Sequence, residues 1–545
     1  MSHFFVHGWK TRLFQLTHHP AFLARLTAGI IGGGFLIACG IVAIKGGTEA
    51  GGSRQHRLVE SLQDELDKVV TTPRKLAGWL HSLTGELGTK ARMLKEPRPS
   101  LDDFQATGEV FGFQVRDVIK RQISDAEMRA RFDDYVLARL DAKDPRGLKA
   151  RQRLEAAALT TTPPAFANEF LGDLLAAEGE NKEALQAFQR ESGFADAKRS
   201  RSRALRLAIA LKDLPALREM LANPRVADAM SPQDQDEAGL LVGDWRLVVK
   251  GFLRMVGQHA RPDVLVFALF AGALWYAVFV RCGVRERWRW VRPLPALLAG
   301  IASILPTLVL IHWQEAATGL SENGEFLHDL VFYVTGVGLR EETAKLALFA
   351  LFIPWLLRHR TPGKALLTGA FVGLGFALEE NRSYFLMSGV ANVAIGRLLT
   401  ANFFHAALTG LAGHALYEVV RTKFGSAQQF VVTFVGVVLA HGLYDWVQAA
   451  GSSLAAVGDI SFFAVVILAV IAQQFFDRLA GLIQPQRAAV SLLSLFLVGL
   501  AILVAAGFII AGGESGNMAA VSAVGVDALS LVPITVFYVR KFGHL

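Results

Sequence analysis

The chain has 545 residues, of which 52% are hydrophobic and only 19% charged, with a mean hydropathy of +0.35. Soluble domains usually carry about a quarter charged residues, so this composition excludes a wholly water-soluble protein. The formal charge of +8 does not point to nucleic acid, because the arginines sit in short loops between apolar runs, where they fix orientation and meet anionic headgroups.

Residues 1–21 are polar to mixed, and an apolar run from about Ala21 to Ile44 follows. No small-residue cleavage site closes that run, so residues 1–46 read as a cytoplasmic N-terminus and an uncleaved membrane anchor. Leu36-Ile37-Ala38-Cys39 resembles a lipoprotein processing box, but the apolar stretch continues past Cys39, which argues against lipidation. The other cysteine, Cys282, lies in an arginine-rich loop at a different depth, so no structural disulfide is expected.

Residues 47–262 are charged, rich in Ala and Leu and poor in β-branched runs, and read as a helical soluble domain. Leu171-Gly172, Gly179, Ala184 and Phe188 follow the spacing of a tetratricopeptide hairpin, with a degenerate second copy from about Leu205 to Leu221. An ordinary α-hairpin accounts for the same spacing equally well, because so few repeats would not stand as a solenoid.

Nine further apolar runs follow, near 263–280, 293–312, 326–357, 364–388, 399–420, 428–449, 460–476, 489–511 and 519–539. Each is about the length that crosses a hydrocarbon core as a helix. The third is long enough for a short outer helix plus a span, with Gly336 and Gly338 marking a break. Basic loops at Arg281–Arg292, Arg358–Lys364, Arg421–Lys423, Arg478–Arg487 and Arg540–Lys541 alternate with poorly basic connections. The positive-inside rule then gives about ten spans with both termini cytoplasmic and 47–262 outside. The fold class is an all-α polytopic membrane protein with an inserted extracytoplasmic helical domain. Residues 263–450 would form its core and 451–545 three additional spans.

A charged side chain at mid-bilayer costs about 2.5–3.5 kcal/mol on insertion scales, and such residues usually serve a function. Four clusters between 340 and 445 ignore that cost. In Arg340-Glu341-Glu342-Thr343-Ala344-Lys345, Glu341 and Lys345 could pair at i,i+4, yet one lysine cannot neutralise two glutamates. The spare carboxylate suits a general base or acid. In Phe376-Ala377-Leu378-Glu379-Glu380-Asn381, Phe376, Glu380 and the later Tyr384 share one helical face, while Glu379 and Arg382 are placed to pair only with each other. His405 stands in a third span, where a lone histidine could simply bond a neighbouring helix; His414 lies nine residues on. His441 and Asp445, at i,i+4, have the spacing of a ligand pair or of an imidazole oriented by a carboxylate. By topology Glu341 and Glu380 lie near mid-depth and His405, His441 and Asp445 toward the outer half, while His414 is nearer the cytoplasmic end.

In this order, Glu341-Glu342-x-x-Lys345, Phe376-Ala377-x-x-Glu380-Asn381-x-x-Tyr384, Arg397 with His405 ahead of Thr409-Gly410, and His441-x-x-x-Asp445 resemble the PrsW family of intramembrane proteases, related to the CAAX protease and bacteriocin-processing superfamily. The resemblance covers about 263–450. It implies hydrolysis of peptide bonds in membrane-embedded proteins, such as anti-sigma-factor-like substrates, in a bacterial inner membrane. Carried over, Glu341 or Glu342 would be the general base, and His405 and Glu380 would help to hold water or metal. His441 and Asp445 would stabilise the oxyanion or complete a metal site, with Lys345, Asn381, Tyr384 and Arg397 in support. His405, His441 and Asp445 could hold a zinc ion, although no HExxH helix exists and the superfamily is also read as metal-free. Asp445 stands where the superfamily often has Asn, and favours a ligand or orienting role over oxyanion donation. The competing reading is a proton-coupled transporter or a helix-binding signalling protein, since proton relays use the same residue types; no internal repeat between the halves supports a transporter.

Overall fold

A computed structural model of the chain describes residues 12, 14–46, 71–93, 101–110, 113–227, 229–258, 262–283, 289–359, 361–388, 390–450, 461–482 and 490–544. Arg285, Arg287, Arg360 and Arg487, used above for orientation, lie outside these residues. The chain divides into two compact units, Met1–Ala50 with Ala260–Leu545, and Gly51–His259.

Within Gly51–His259 the described residues are helical apart from a short antiparallel ribbon that pairs Val110 with Phe113. Ala167–Glu178 and Asn181–Glu191 form a helical hairpin closed by Gly179 at φ +86°. The close approach of the two helices depends on Gly172, where a Cβ would stand 2.8 Å from the Phe188 ring. Lys198–Ala210 and Leu214–Leu221 form the next pair, burying Ala204, Leu205, Ala208 and Leu217.

A buried ionic network lies beside this hairpin. Arg74 donates to Glu169 at 2.6 Å and to Glu191 at 2.7 Å, and both carboxylates are fully buried. Arg199 bridges Glu169 (2.6 Å) and Asp173 (2.7 Å). Burial opposes ionisation of Asp173, but Arg199 and His81 beside it hold its carboxyl below the usual carboxylate range. Removing one partner from a buried pair leaves an uncompensated charge, which costs far more than the pair gains over an apolar replacement.

In the other unit, six helices among the described residues are long and apolar enough to cross a membrane: Pro20–Lys45, Val264–Cys282, Leu294–Glu315, Ala427–Ala449, Phe462–Leu482 and Leu492–Gly513. The pair Met518–Ser530 and Val532–Phe542, bent by 49°, would make a seventh. The chain is therefore a multi-pass helical membrane protein. The first helix runs unbroken through Cys39, and both cysteines are free thiols. The other three runs read as spans are helical but fall short of the same apolarity and length. Their own polar residues are the reason in two of them, and the 326–357 run is built from shorter pieces.

Four helices carry the polar clusters: α1 (Leu339–Ala350), α2 (Pro362–Ser388), α3 (Ala401–Arg421) and α4 (Ala427–Ala450). Small residues bring them together. A Cβ on Gly369 would meet the Thr409 carbonyl oxygen at 2.5 Å, and one on Gly373 the His405 carbonyl oxygen at 2.1 Å. The i,i+4 glycine face of α2 thus lies directly on the α3 backbone, the small-residue packing that membrane helices use in place of hydrophobic burial.

The break expected at Gly336 and Gly338 is instead a π-helical segment, Phe332–Gly338, continuous with Phe326–Val331 before it and α1 after it. Backbone contact explains the glycines. A Cβ on Gly338 would stand 2.7 Å from the Val438 carbonyl oxygen, and one on Gly442 2.4 Å from the Val334 Cα. π-Turns accommodate one extra residue within a helix and are frequent at functional sites.

Replacing Arg74 by Met should destabilise the Gly51–His259 unit by about 3–5 kcal/mol. Hydrogen exchange of the full-length protein should then report greatly faster opening across Ala167–Glu178 and unchanged exchange in α3.

Candidate active site

Glu341 and Glu342 open α1 immediately after the π-helical segment. The two carboxylates have opposite surroundings. Glu342 is 1% exposed and fully engaged: its Oε1 meets Lys345 Nζ at 2.6 Å and His441 Nδ1 at 2.8 Å, and its Oε2 accepts from the Thr409 hydroxyl at 3.4 Å. Glu341 Oε2 is buried and accepts no hydrogen bond. Its nearest cationic neighbours are His441 Nε2 at 3.5 Å and Lys345 Nζ at 3.6 Å.

The i,i+4 pairing of Glu341 with Lys345 read from the sequence is therefore the looser contact, and the i,i+3 contact with Glu342 is the tight one. The reason lies across the helix interface. Lys345 Nζ also lies 3.0 Å from His405 Nδ1 on α3 and 4.2 Å from the centre of the Phe376 ring on α2. Those contacts draw the ammonium toward the Glu342 side.

An ammonium only donates, so His405 Nδ1 accepts from Lys345 and the Nε2–H donates to Glu380 Oε2, 2.7 Å away. Glu380 is also held by Arg397 Nη2 at 2.6 Å. Arg397 reaches Asn381 Oδ1 through its Nε and stacks its guanidinium 3.9 Å from the Tyr384 ring centre. Asn381 in turn donates to Asn402 Oδ1 at 2.8 Å, joining α2 to α3. Glu379 and Arg382 pair with each other, as their spacing suggested.

His441 faces Glu342 through Nδ1, and its Nε2 lies 3.3 Å from Asp445 Oδ2 as well as 3.5 Å from Glu341. Two carboxylate oxygens against one imidazole nitrogen call for positive charge at that point, from an imidazolium or from a metal ion. The His405 and His441 rings are 5.1 Å apart between centres. Glu341, His405 and His441 present ligand atoms that all lie within 4.8 Å of one another. With the orphaned Glu341 oxygen among them, this donor set of two imidazoles and a carboxylate fits a zinc-type ion. Lys345 must then release His405 Nδ1, which its contacts with Glu342 and Glu341 permit. Asp445, the ligand expected from the sequence beside the two histidines, lies 3.3 Å from His441 Nε2 but is not in this group, where Glu341 takes its place.

The structure thus brings Glu341, Glu342, Lys345, Glu380, His405, His441 and Asp445 into one cluster, with Asn381, Tyr384 and Arg397 bracing its Glu380 side. His414 is buried farther along α3 and joins none of these contacts. Two participants had no role assigned from the sequence, Asn402 and Thr409. They stand three residues before and four residues after His405 on α3, and that proximity is the signal that could have found them.

Residues 286–473 match the family model described as PrsW family intramembrane metalloprotease. This part of the chain is of that family, and the protein is accordingly an intramembrane protease, a hydrolase. No curated protein and no solved structure matches the chain.

A methyl group at Gly442 would push α4 away from Val334 and carry His441 away from Glu342. Displacements of about 1 Å cost around a hundredfold in rate. Gly442→Ala should lose proteolysis on that scale while circular dichroism of the purified protein in detergent shows unchanged helix content.

Proposed function

We propose that the protein hydrolyses peptide bonds of membrane-embedded protein substrates, such as anti-sigma-factor-like proteins, with Glu341 as the residue that activates water. The observation that carries this reading is the contrast between the paired glutamates. Glu342 spends its hydrogen-bonding capacity on Lys345, His441 and Thr409, while Glu341 keeps a buried oxygen without a hydrogen bond. A proton acceptor needs that free lone pair.

Glu341 takes a proton from water as the oxygen attacks the scissile carbonyl carbon. His441, oriented by Glu342 and Asp445, faces the oxyanion that forms. Glu341 then returns the proton to the amide nitrogen as the carbon–nitrogen bond breaks. His405 is fixed between Lys345 and Glu380 and confines the water on the other side.

The family's description as a metalloprotease favours a second form of the same site. Glu341, His405 and His441 would hold a zinc ion, which supplies a Lewis acid and an acidified water. Glu341 would then be a ligand, and Asp445, the other carboxylate against His441 Nε2, would be the group placed to accept a proton. Both forms need Glu341, and they differ in their dependence on Asp445 and on a chelator.

The same spans support the location we propose. Ten crossings, counting the three polar site helices, fit a bacterial inner membrane with both termini cytoplasmic and residues 47–262 outside, with a tetratricopeptide-like hairpin at 167–191. A proton relay uses similar residues, but the match to a protease family favours hydrolysis at this cluster.

Reconstituted with single-span substrates, Glu341→Ala should lower cleavage by about 10²–10⁴-fold. Glu342→Ala and His405→Ala should also lower it severely, through loss of the geometry around Glu341. Cleavage that survives all three changes sinks this site. Activity lost to a chelator, together with severe loss in Asp445→Asn, establishes the zinc form; retention in both cases establishes the metal-free form. For topology, protease added outside spheroplasts should digest 47–262, and full protection of that segment would reverse the orientation.

A further inference from the structure

The membrane unit contains a second cavity with no part in the chemistry above. It measures about 700 Å³, and Phe279, Val280, Ala296, Phe352, Leu367 and Phe371 give it an apolar interior. Its rim is of a different kind: Arg289, Arg292, His359 and Lys364 stand around it, and no acidic residue is among the described residues that line it. The N-terminus of the 27-residue α2 also opens here, at Thr361, Pro362 and Gly363. That end of a helix carries the positive pole of its dipole. The Thr361 hydroxyl oxygen is buried and has no hydrogen-bond partner.

This cavity is far from the glutamates. Lys364 precedes Glu380 by sixteen residues on one continuous helix, a separation of about 24 Å at the α-helical rise. It also lies where a lipid would meet the protein. Trp290, Val291, Leu294 and Leu298 beside it are largely exposed on a multi-pass membrane protein, and Trp355 on its wall is 39% exposed. Tryptophans concentrate at headgroup level.

We propose that this cavity binds one anionic glycerophospholipid, with the phosphate at Arg292, Lys364 and Thr361 and the acyl chain laid against Phe279, Phe352 and Phe371. Each half of the site selects for half of that ligand. A free phosphate has no use for the apolar interior. A transmembrane peptide segment has no use for a rim of cations beside an unpartnered hydroxyl. A zwitterionic lipid offers its phosphate but adds a quaternary ammonium, which this rim repels. Cationic pockets between membrane helices on the basic-loop side are places where anionic headgroups dock.

The full-length protein, stripped of lipid in detergent, is offered equal phosphatidylglycerol and phosphatidylcholine in mixed micelles, and the lipid retained after purification is weighed by native mass spectrometry. Wild type should retain phosphatidylglycerol over phosphatidylcholine by on the order of tenfold. The pair Arg292→Gln with Lys364→Gln should abolish that preference, and the charge-preserving pair Arg292→Lys with Lys364→Arg should keep it. Phosphatidylglycerol with brominated acyl chains should quench wild-type fluorescence more than that of Trp355→Phe, which places the chain in this cavity without altering a rim charge. Equal retention of both lipids, a preference unchanged in the glutamine pair or lost in the charge-preserving pair, equal quenching in Trp355→Phe, or displacement of the lipid by glycerol 3-phosphate alone would each overturn the assignment. Loss of proteolysis in any variant has no bearing on it.

Discussion

The ammonium of Lys345 is the contact on which the membrane site depends. It is fully buried, and it ties α1 to α3 by holding Glu342 at 2.6 Å and His405 at 3.0 Å. An isolated ammonium in a medium of low dielectric would not stay charged, and neither would the carboxylate beside it. Each is tolerable only because the other is there. Lys345 also occupies the proton-accepting face of His405, which sets that ring's tautomer and directs its remaining N–H to Glu380. One cation therefore decides which glutamate is neutralised, which way a histidine points and which oxygen is left unbonded.

Close helix packing makes that placement possible. Ammonium, imidazole and carboxylate groups from four helices can meet only where the backbones are near each other, and glycines set those distances. Gly369 and Gly373 seat α2 on α3, and Gly338 and Gly442 seat the start of α1 on α4. The π-helical segment before α1 completes the arrangement by resetting the rotational phase in which Glu341 and Glu342 leave the helix axis. Without hydrophobic attraction between helices in lipid, shape at these few positions and the polar bonds they permit hold the core together.

Much of the site was legible in the sequence, because intramembrane charges are costly enough to be conspicuous. Glu341, Glu342, Glu380, His405, His441 and Asp445 stand out for that reason alone, and the local pairing of Glu379 with Arg382 follows from helical spacing. What spacing could not decide was the partner of Lys345. Both i,i+3 and i,i+4 partners are available on one helix, and residues on α2 and α3 break the tie. The gap at Gly336 and Gly338 misled in a similar way. Glycine marks both a break and a close approach, and only the presence of α4 against the segment distinguishes them. Asn402 went unassigned because its partner Asn381 lies on another helix, and only its place three residues before His405 pointed to it. The rim of cations around the second cavity was read as an orientation signal, which is a separate use of the same charges.

Of the four helices that carry the site, only α4 is among the strongly apolar ones, and the contrast with the other three has a consequence for biogenesis. A chain entering the bilayer is partitioned segment by segment, and each segment is weighed by its own residues. The six apolar helices can enter on that basis. α2 and α3 cannot be weighed so favourably, since the neutralising partners of Glu380 and His405 lie on other segments. These helices would gain from inserting beside their partners, because their buried charges are neutralised only across the helix interfaces. Packing of the candidate site is in that sense a condensation of mutually dependent helices into a scaffold of independent ones.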